Sequence, residues 1–239
     1  MIWRGWILLN VGVWTGVFGI VGLFGSLFEK NKGGFMGHVA KIWGKTIMAV
    51  CRIRYTVTGL SHIHPDQEYI FAGNHESSLD IPLAFAAIPK KLVPVSKIEL
   101  KKVPIMGWGM TAAGHIFVDR RSREQSMKSI QAARDSLLNF PRSVLIFPEG
   151  TRSVDGKMKP FKRGGLMLAI ETGMPVIPMA FCGTSDANKK GSYTIKKQPV
   201  ELRFGKPIES EHFSFKTRRE FVTKIQDSVQ DLKQNGGQP

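Results

Sequence analysis

Ser143-Val144-Leu145-Ile146-Phe147-Pro148-Glu149-Gly150-Thr151-Arg152-Ser153 is an unbroken apolar run that ends in a carboxylate, a glycine and an arginine. The run is short, β-branched and bounded by Pro148, as expected of a strand buried on both faces. Ligand sites in open α/β sheets gather at the carboxyl ends of the strands, where Glu149, Gly150, Thr151 and Arg152 would then lie. Arg152 offers planar donors for a phosphate, and Gly150 allows close backbone approach. Just downstream, Phe161-Lys162-Arg163-Gly164-Gly165 adds two cations ahead of a further helix. The competing reading is a polar turn with a solvated arginine.

Similar strands recur on both sides. Ile53, Tyr55 and Val57 alternate with Arg54, Thr56 and Thr58, predicting a half-exposed strand. Residues 68–72, 91–95, 115–118, 176–181 and 200–204 are further strand segments. Between them, residues 79–88 are expected to be helical. Ser122-x-x-Gln125 forms a capping box ahead of Met127, Ile130, Ala133 and Leu137, which share one helix face. Thr217-x-x-Glu220 opens a closing helix with Phe221, Ile225, Val229 and Leu232 on one side, and a loose tail follows from Gln234. Strand–helix alternation predicts an α/β fold: a layered, largely parallel sheet flanked by helices.

The first 51 residues differ from this pattern and are expected to form a two-helix membrane anchor, leaving residues 52–239 as the α/β domain. Residues 5–28 carry no charge over about 24 positions, enough to cross about 30 Å of hydrocarbon, with Trp3, Trp6 and Trp14 suited to an interface. A cleaved signal peptide is disfavoured, because the run is too long and no small-residue cleavage site follows. A buried core helix is the alternative, since glycines and Asn10 lower the hydrophobicity. In residues 35–51, Phe35, Val39, Ile42, Trp43, Ile47 and Val50 recur at helical spacing with Lys41 and Lys45 between them. That suits an amphipathic helix among lipid headgroups, or equally a domain helix covering a sheet. Asn31-Lys32-Gly33-Gly34 would join the two helices. Lys30, Lys32, Lys41 and Lys45 outnumber Arg4, which places the rest of the chain on the cytoplasmic face of the cell inner membrane.

Composition agrees. The 239 residues include 42% hydrophobic and 22% charged side chains, so a core is attainable and global disorder is excluded. With 34 Lys and Arg against 19 Asp and Glu, the formal charge is +15, which calls for an anionic partner. The two cysteines, Cys51 and Cys182, lie far apart and exclude a disulfide scaffold or zinc ribbon. Aromatic-rich nucleic-acid motifs are missing, so no nucleic-acid partner is expected.

Directly after the 68–72 strand stands Asn74-His75-Glu76-Ser77-Ser78-Leu79-Asp80. Ser77 or Ser78 is expected to cap the next helix, placing Asp80 in its first turn, where the helix dipole favours a carboxylate. Asp80 would orient the His75 ring and leave its other nitrogen free to take a proton from an alcohol. The bland alternative is a capping Asp beside an inert surface His. Gly114-His115-Ile116-Phe117-Val118-Asp119-Arg120-Arg121 is a further strand ending in cations, and Lys97 follows the 91–95 strand. Four strand ends thus present His75, Lys97, Arg120 and Arg152, a set suited to a phosphate-bearing alcohol.

In order and spacing, His75-x4-Asp80, the 114–120 stretch, Phe147-Pro-Glu-Gly-Thr-Arg-Ser153 and Val176-Ile-Pro178 resemble the four motif blocks of the glycerolipid acyltransferases. The resemblance spans roughly residues 50–210. It implies transfer of a fatty acyl group from acyl-CoA or acyl-carrier protein to the sn-2 hydroxyl of lysophosphatidic acid, giving phosphatidic acid at a membrane of anionic phospholipid. His75 would be general base and Asp80 its orienter. Lys97, Arg120 and Arg152 would grip the acceptor phosphate, Glu149, Gly150 and Thr151 would shape its site, and Pro178 would line the acyl side. Arg121 is an alternative to Arg120. The resemblance implies no cofactor, and no metal-ligand cluster is visible. Two rivals remain open at this stage: a membrane-tethered basic binding module, and a thioester hydrolase using the same His75.

Overall fold

The computed structural model describes residues 2–28, 34–104 and 106–235. Glu29, Lys30, the linker residues Asn31, Lys32 and Gly33, the side chains of Trp3 and Arg4, and tail residues 236–239 lie outside what is described.

Seven strands form one sheet: β1 (Tyr55–Thr58), β2 (Ile70–Gly73), β3 (Leu92–Lys97), β4 (Ile116–Val118), β5 (Ser143–Ile146), β6 (Val176–Cys182) and β7 (Val200–Phe204). Their order is β1-β7-β6-β2-β5-β3-β4, and every pairing is parallel except β6 with β7. The expectation of a layered, largely parallel sheet is therefore met. All four residues of β2 and of β5 are buried, because helices cover both faces of the sheet.

Alternation along the strands divides the core in two. Phe71, Leu145, Ile177, Met179 and Phe181 point to one side, where they meet Leu83 and Ala84 of α3 (Asp80–Ala87) and Ile47 and Met48 of α2 (Gly34–Val50). Ile70, Ala72, Val144, Ile146 and Val176 point to the other. There they meet α5 (Arg123–Asn139) through Ala133 and Leu137, α6 (Arg163–Thr172) through Leu166 and Leu168, and α8 (Arg218–Gln234) through Phe221, Ile225 and Val229. Each of these fully buried aliphatic or aromatic side chains contributes about 1.5–3 kcal/mol relative to exposure.

The two N-terminal segments are helical: α1 (Ile2–Leu27) and α2. α1 carries a 22-residue stretch, Gly5–Ser26, of mean hydropathy 2.0, long and apolar enough to cross a membrane. Its Leu9, Val13, Ile20 and Phe24 are exposed, whereas Ile7 enters the core below α2. α2 packs hard on the domain. A Cβ at Gly44 would stand 2.5 Å from the Pro82 carbonyl oxygen of α3, a separation only glycine permits. Trp43 packs edge-on against Phe85 and donates from Nε1 to Thr15 Oγ1 of α1 at 3.1 Å. Packing therefore runs continuously across residue 51: α2 covers the sheet while its Phe35 and Ile42 face outward.

Two expected caps correct themselves. α5 begins as foreseen, with Ser122 Oγ accepting from Gln125 N at 3.1 Å. At α3, by contrast, neither serine caps the helix. Ser77 Oγ donates to the Asn188 carbonyl at 2.9 Å while accepting from Leu79 N at 3.2 Å, and Ser78 Oγ donates to Asn188 Oδ1 at 2.6 Å, so both hydroxyl protons go to a distant residue. At α8, Thr217 Oγ1 accepts from Ser214 N at 2.9 Å instead of from its own first turn.

Candidate active site

Parallel pairing puts the carboxyl ends of β2, β5, β3 and β4 on one edge of the sheet, in that lateral order. The loops leaving β2, β5 and β4 carry His75, Glu149 and Arg120, and Lys97 is the last residue of β3. β3 extends past β5, and Lys97 lies in register with Val118 of β4, two residues before Arg120.

The loop after β2 wraps around one carboxylate. Asp80, fully buried as the first residue of α3, accepts at Oδ2 from Glu76 N (2.7 Å) and Ser77 N (2.8 Å). The same oxygen lies 2.8 Å from His75 Nδ1. An ionised carboxylate takes a proton donor, so Nδ1 carries the hydrogen and Nε2 presents its lone pair. The His75 ring lies nearly parallel to Phe147 at a centroid distance of 4.0 Å, and its side chain remains 15% exposed. An oriented imidazole at the sheet edge with one basic nitrogen available is the arrangement needed to accept a proton from an alcohol.

The loop after β5 holds this histidine by its main chain. Glu149 accepts from His75 N at 2.7 Å through Oε1 and from Lys159 N at 3.0 Å through Oε2, and Ser153 N donates to His75 O at 2.8 Å. Glu149 is 1% exposed. Burial pushes its carboxyl upward, and the two amide donors oppose that rise. Glu149, expected to shape the acceptor site, directs one oxygen to the His75 backbone and the other to that of Lys159, so it ties the histidine loop to the loop after β5.

The cations gather beside Gly150, whose φ of +76° is the left-handed conformation that favours glycine. A Cβ there would sit 3.3 Å from Arg120 Nη1 and 3.3 Å from Lys162 Nζ, so two positive groups flank a bare stretch of backbone. Lys190 reaches in from the segment after β6 and donates to Thr151 Oγ1 (3.3 Å) and the Arg152 carbonyl (3.0 Å), which also accepts from Lys159 Nζ (3.3 Å). Arg152 itself is half-buried, and Lys97 is exposed at the end of its strand. Arg121 is bound to Asp119 through Nε (3.0 Å) and Nη2 (2.5 Å), holding that carboxyl down at about 2, while Arg120 faces Gly150. His115, in the same motif block, is a poor base: desolvation, helped by the Arg142 charge, lowers it to about 4.

Lys162 was visible in the sequence as one of two cations, but nothing local singles it out from Arg163. Lys190 and the ring stack of Phe147 on His75 carry no sequence signal at all. Among the described residues, no group of three or more His, Cys, Asp or Glu side chains is placed to hold a metal ion.

Gly150→Ala tests the cationic cradle. The new methyl would crowd Arg120 and Lys162 and strain a left-handed backbone, at about 1–2 kcal/mol. The expected outcome is a KM for a phosphate-bearing acceptor raised about tenfold, with kcat changed less than threefold, read from initial rates.

Comparison with known proteins accords with this geometry. A family model described as Acyltransferase matches residues 54–182. The 1-acyl-sn-glycerol-3-phosphate acyltransferase of Cocos nucifera is 30% identical over 195 residues, covering 82% of this chain and 62% of that protein. The human 1-acyl-sn-glycerol-3-phosphate acyltransferase alpha is 33% identical over 159 residues, 66% of this chain and 56% of its own length. The chain thus spans about three fifths of the length of these two relatives. The crystal structure of the 1-acyl-sn-glycerophosphate (LPA) acyltransferase PlsC from Thermotoga maritima matches with a TM-score of 0.81 at 27% identity, over 99% of this chain and 97% of that one. The matched segment runs from the first strand to the end of the sixth, so it takes in the histidine loop, both cation-bearing strand ends and the glycine between them; on that ground the chain belongs to the Acyltransferase family.

Proposed function

We propose that this protein transfers a fatty acyl group from an acyl thioester to the sn-2 hydroxyl of lysophosphatidic acid, producing phosphatidic acid. The observation that carries the reading is the oriented His75, with Nε2 available, joined through Glu149 and Ser153 to the loop whose Gly150 is flanked by Arg120 and Lys162. An alcohol and a phosphate a few bonds apart fit such a site; the relatives named for that acceptor add support.

In this reaction His75 Nε2 takes the hydroxyl proton as the oxygen attacks the thioester carbonyl. A C–O bond forms, the C–S bond breaks, and the thiolate leaves with the proton returned by the imidazolium. General-base help of this kind is worth about 10²–10⁴-fold. Holding acceptor and donor together supplies much of the rest. Direct transfer is favoured over a serine acyl-enzyme, since Ser77 and Ser78 already donate their hydroxyl protons to Asn188. Arg120, Lys162, Lys97 and Arg152 supply the positive surroundings for the acceptor phosphate. The chemistry runs on side chains alone, without a metal or cofactor. The donor is acyl-CoA or acyl-carrier protein, both anionic and drawn to a chain of charge +15.

In this reading α1 is the membrane anchor and lies in the bilayer, α2 joins it to the α/β domain on which it packs, and the domain sits on the cytoplasmic face of the inner membrane. Support comes from the exposed apolar surface of α1 and from the lysines that follow it. Acceptor and product are both lipids, so an anchored enzyme draws one from the leaflet and returns the other.

Purified full-length protein, assayed with an acyl thioester against lysophosphatidate, glycerol-3-phosphate and a neutral lysolipid, tests the proposal. Lysophosphatidate should be acylated with kcat/KM about 10²-fold above the neutral lysolipid, reflecting one or two charge-assisted hydrogen bonds. Free fatty acid with no acylated lipid would make the protein a hydrolase, and acylation of glycerol-3-phosphate alone would change the acceptor.

A further inference from the structure

Glu76 lies beside the catalytic histidine, yet neither the proposed chemistry nor the phosphate cradle uses it. Its side chain is buried, with 2% of the residue exposed. Oε1 accepts from Asn74 Nδ2 at 3.0 Å, and Asn74 is itself bolted to β6 through Phe181 O (2.9 Å) and Phe181 N (2.8 Å). Glu76 also stands close enough to Asp80 and Glu149 for each to feel its charge. Three carboxylates share one buried region, an arrangement that needs compensating positive charge.

That charge arrives from the far end of the chain. Lys233, in the last turn of α8, pairs with Glu76 Oε1 and donates to the Gly156 carbonyl at 2.6 Å. Its side chain is 22% exposed, so the pair is largely removed from solvent screening. The end of α8 is in turn tied to β7, where Arg203 Nη1 donates to Leu232 O at 2.8 Å and Nη2 to Glu201 Oε2 at 2.6 Å. One ammonium group therefore joins three segments: the histidine loop, the loop following Arg152, and the C-terminal helix. The backbone N–H of Glu76 donates to Asp80 Oδ2, the very oxygen that orients His75. Any shift of Glu76 is passed directly to that oxygen.

We propose that Lys233 is a positioning residue, which neutralises the buried Glu76 carboxylate and thereby holds the Glu76–Asp80–His75 contact in its reactive geometry. The proposal rests on the acyl-transfer reading for its kinetic consequence, though not for the contact itself. α8 lies wholly outside the segment matched by the family model, so this support comes from a part of the chain that defines no motif. Burial raises the Glu76 carboxyl while Lys233 and Asn74 oppose the rise. Without Lys233 the buried carboxylate loses its neutralising partner and is driven toward water, and that movement disturbs the loop. Lys233 touches no reacting atom, so its loss should act on turnover and leave acceptor binding intact.

The test is a charge-rescue cycle in the full-length protein. Lys233→Met keeps the length and apolar stem of the side chain and removes the ammonium group. It is expected to lower kcat about 10- to 100-fold with KM for lysophosphatidate within about twofold. Glu76→Gln in the same chain removes the stranded charge, and the double variant should regain kcat to within about threefold of the parent. A purely structural role for the lysine would not produce recovery on removal of a second side chain. A Lys233→Met protein with parental kcat, or a double variant no faster than the single one, overturns the proposal. Amide hydrogen exchange over residues 74–80 gives a readout independent of the reaction: Lys233→Met should speed it, and the double variant should restore it. If the parent transfers no acyl group, the acyl-transfer reading fails while the exchange result still judges the contact. Unchanged exchange in Lys233→Met then overturns the proposal as well.

Discussion

Replacing His75 by alanine should leave a folded protein that transfers acyl groups about 10³-fold more slowly, within the range by which a positioned general base accelerates proton transfer. The fold survives because the main chain of residue 75, not its ring, ties the two loops together: N donates to Glu149 and O accepts from Ser153. What is lost is the stack on Phe147 and one of the three donors to Asp80 Oδ2. That should cost about 1–2 kcal/mol, a shift of a few degrees in Tm for a chain of this size. The KM for lysophosphatidate should stay within about threefold, since the cations proposed to receive the phosphate, Arg120 and Lys162, lie beside Gly150 and do not depend on the imidazole. A kcat within tenfold of the parent, in a protein with unchanged circular dichroism, would remove the imidazole from the chemistry. A basic binding module would show a different pattern, with vesicle or lipid binding untouched and no turnover to lose.

How far these residues are visible in the chain itself depends on the range of the forces involved. The strands are legible because burial on both faces leaves continuous apolar runs such as Val144-Leu145-Ile146, which no exposed segment would tolerate. The pairing of His75 with Asp80 is legible because it is local, spanning a single tight loop. Ser77 and Ser78 mislead for the opposite reason. Capping preference is a local rule, and Asn188, more than a hundred residues away, makes the competing offer. The backbone role of Glu149 is not legible, because a carboxylate between a proline and a glycine at a strand end shows nothing of the amides it will meet. The partly buried amides of His75 and Lys159 need acceptors, and Glu149 is the one at hand. Arg120 and Arg121 differ only in which of them Asp119 captures, a matter of side-chain direction after a strand that composition cannot convey. Lys190 and Lys233 were present only as part of the total charge of +15.

Asp80 allows the charge of the orienting group to be separated from its geometry, because its two oxygens do unequal work. Oδ2 takes all three donors, His75 Nδ1, Glu76 N and Ser77 N, whereas Oδ1 is buried without a partner among the described residues. Asp80→Asn can therefore set its carbonyl oxygen in the place of Oδ2 and its amide in the place of Oδ1, preserving every hydrogen bond. The opposite amide orientation would confront two backbone N–H groups with a third donor and is excluded on that ground. The expected result is a Tm lowered by about 3–6 °C, because the amide N–H groups at the former Oδ1 find no acceptor, together with a kcat about 10²-fold lower. The loop remains in place, but the neutral amide no longer stabilises the imidazolium that forms when His75 takes the hydroxyl proton. Asp80→Ala removes geometry as well. It strands two backbone N–H groups in a buried loop, at about 1–3 kcal/mol each, and takes a favourable carboxylate from the first residue of α3. Its kcat should fall by about 10³-fold or more, with Tm down by roughly 6–10 °C. The comparison is decisive through the asparagine variant. If Asp80→Asn turns over at the parental rate while Asp80→Ala is crippled, the carboxylate serves only to cap and fold the loop, and its negative charge has no part in moving the proton.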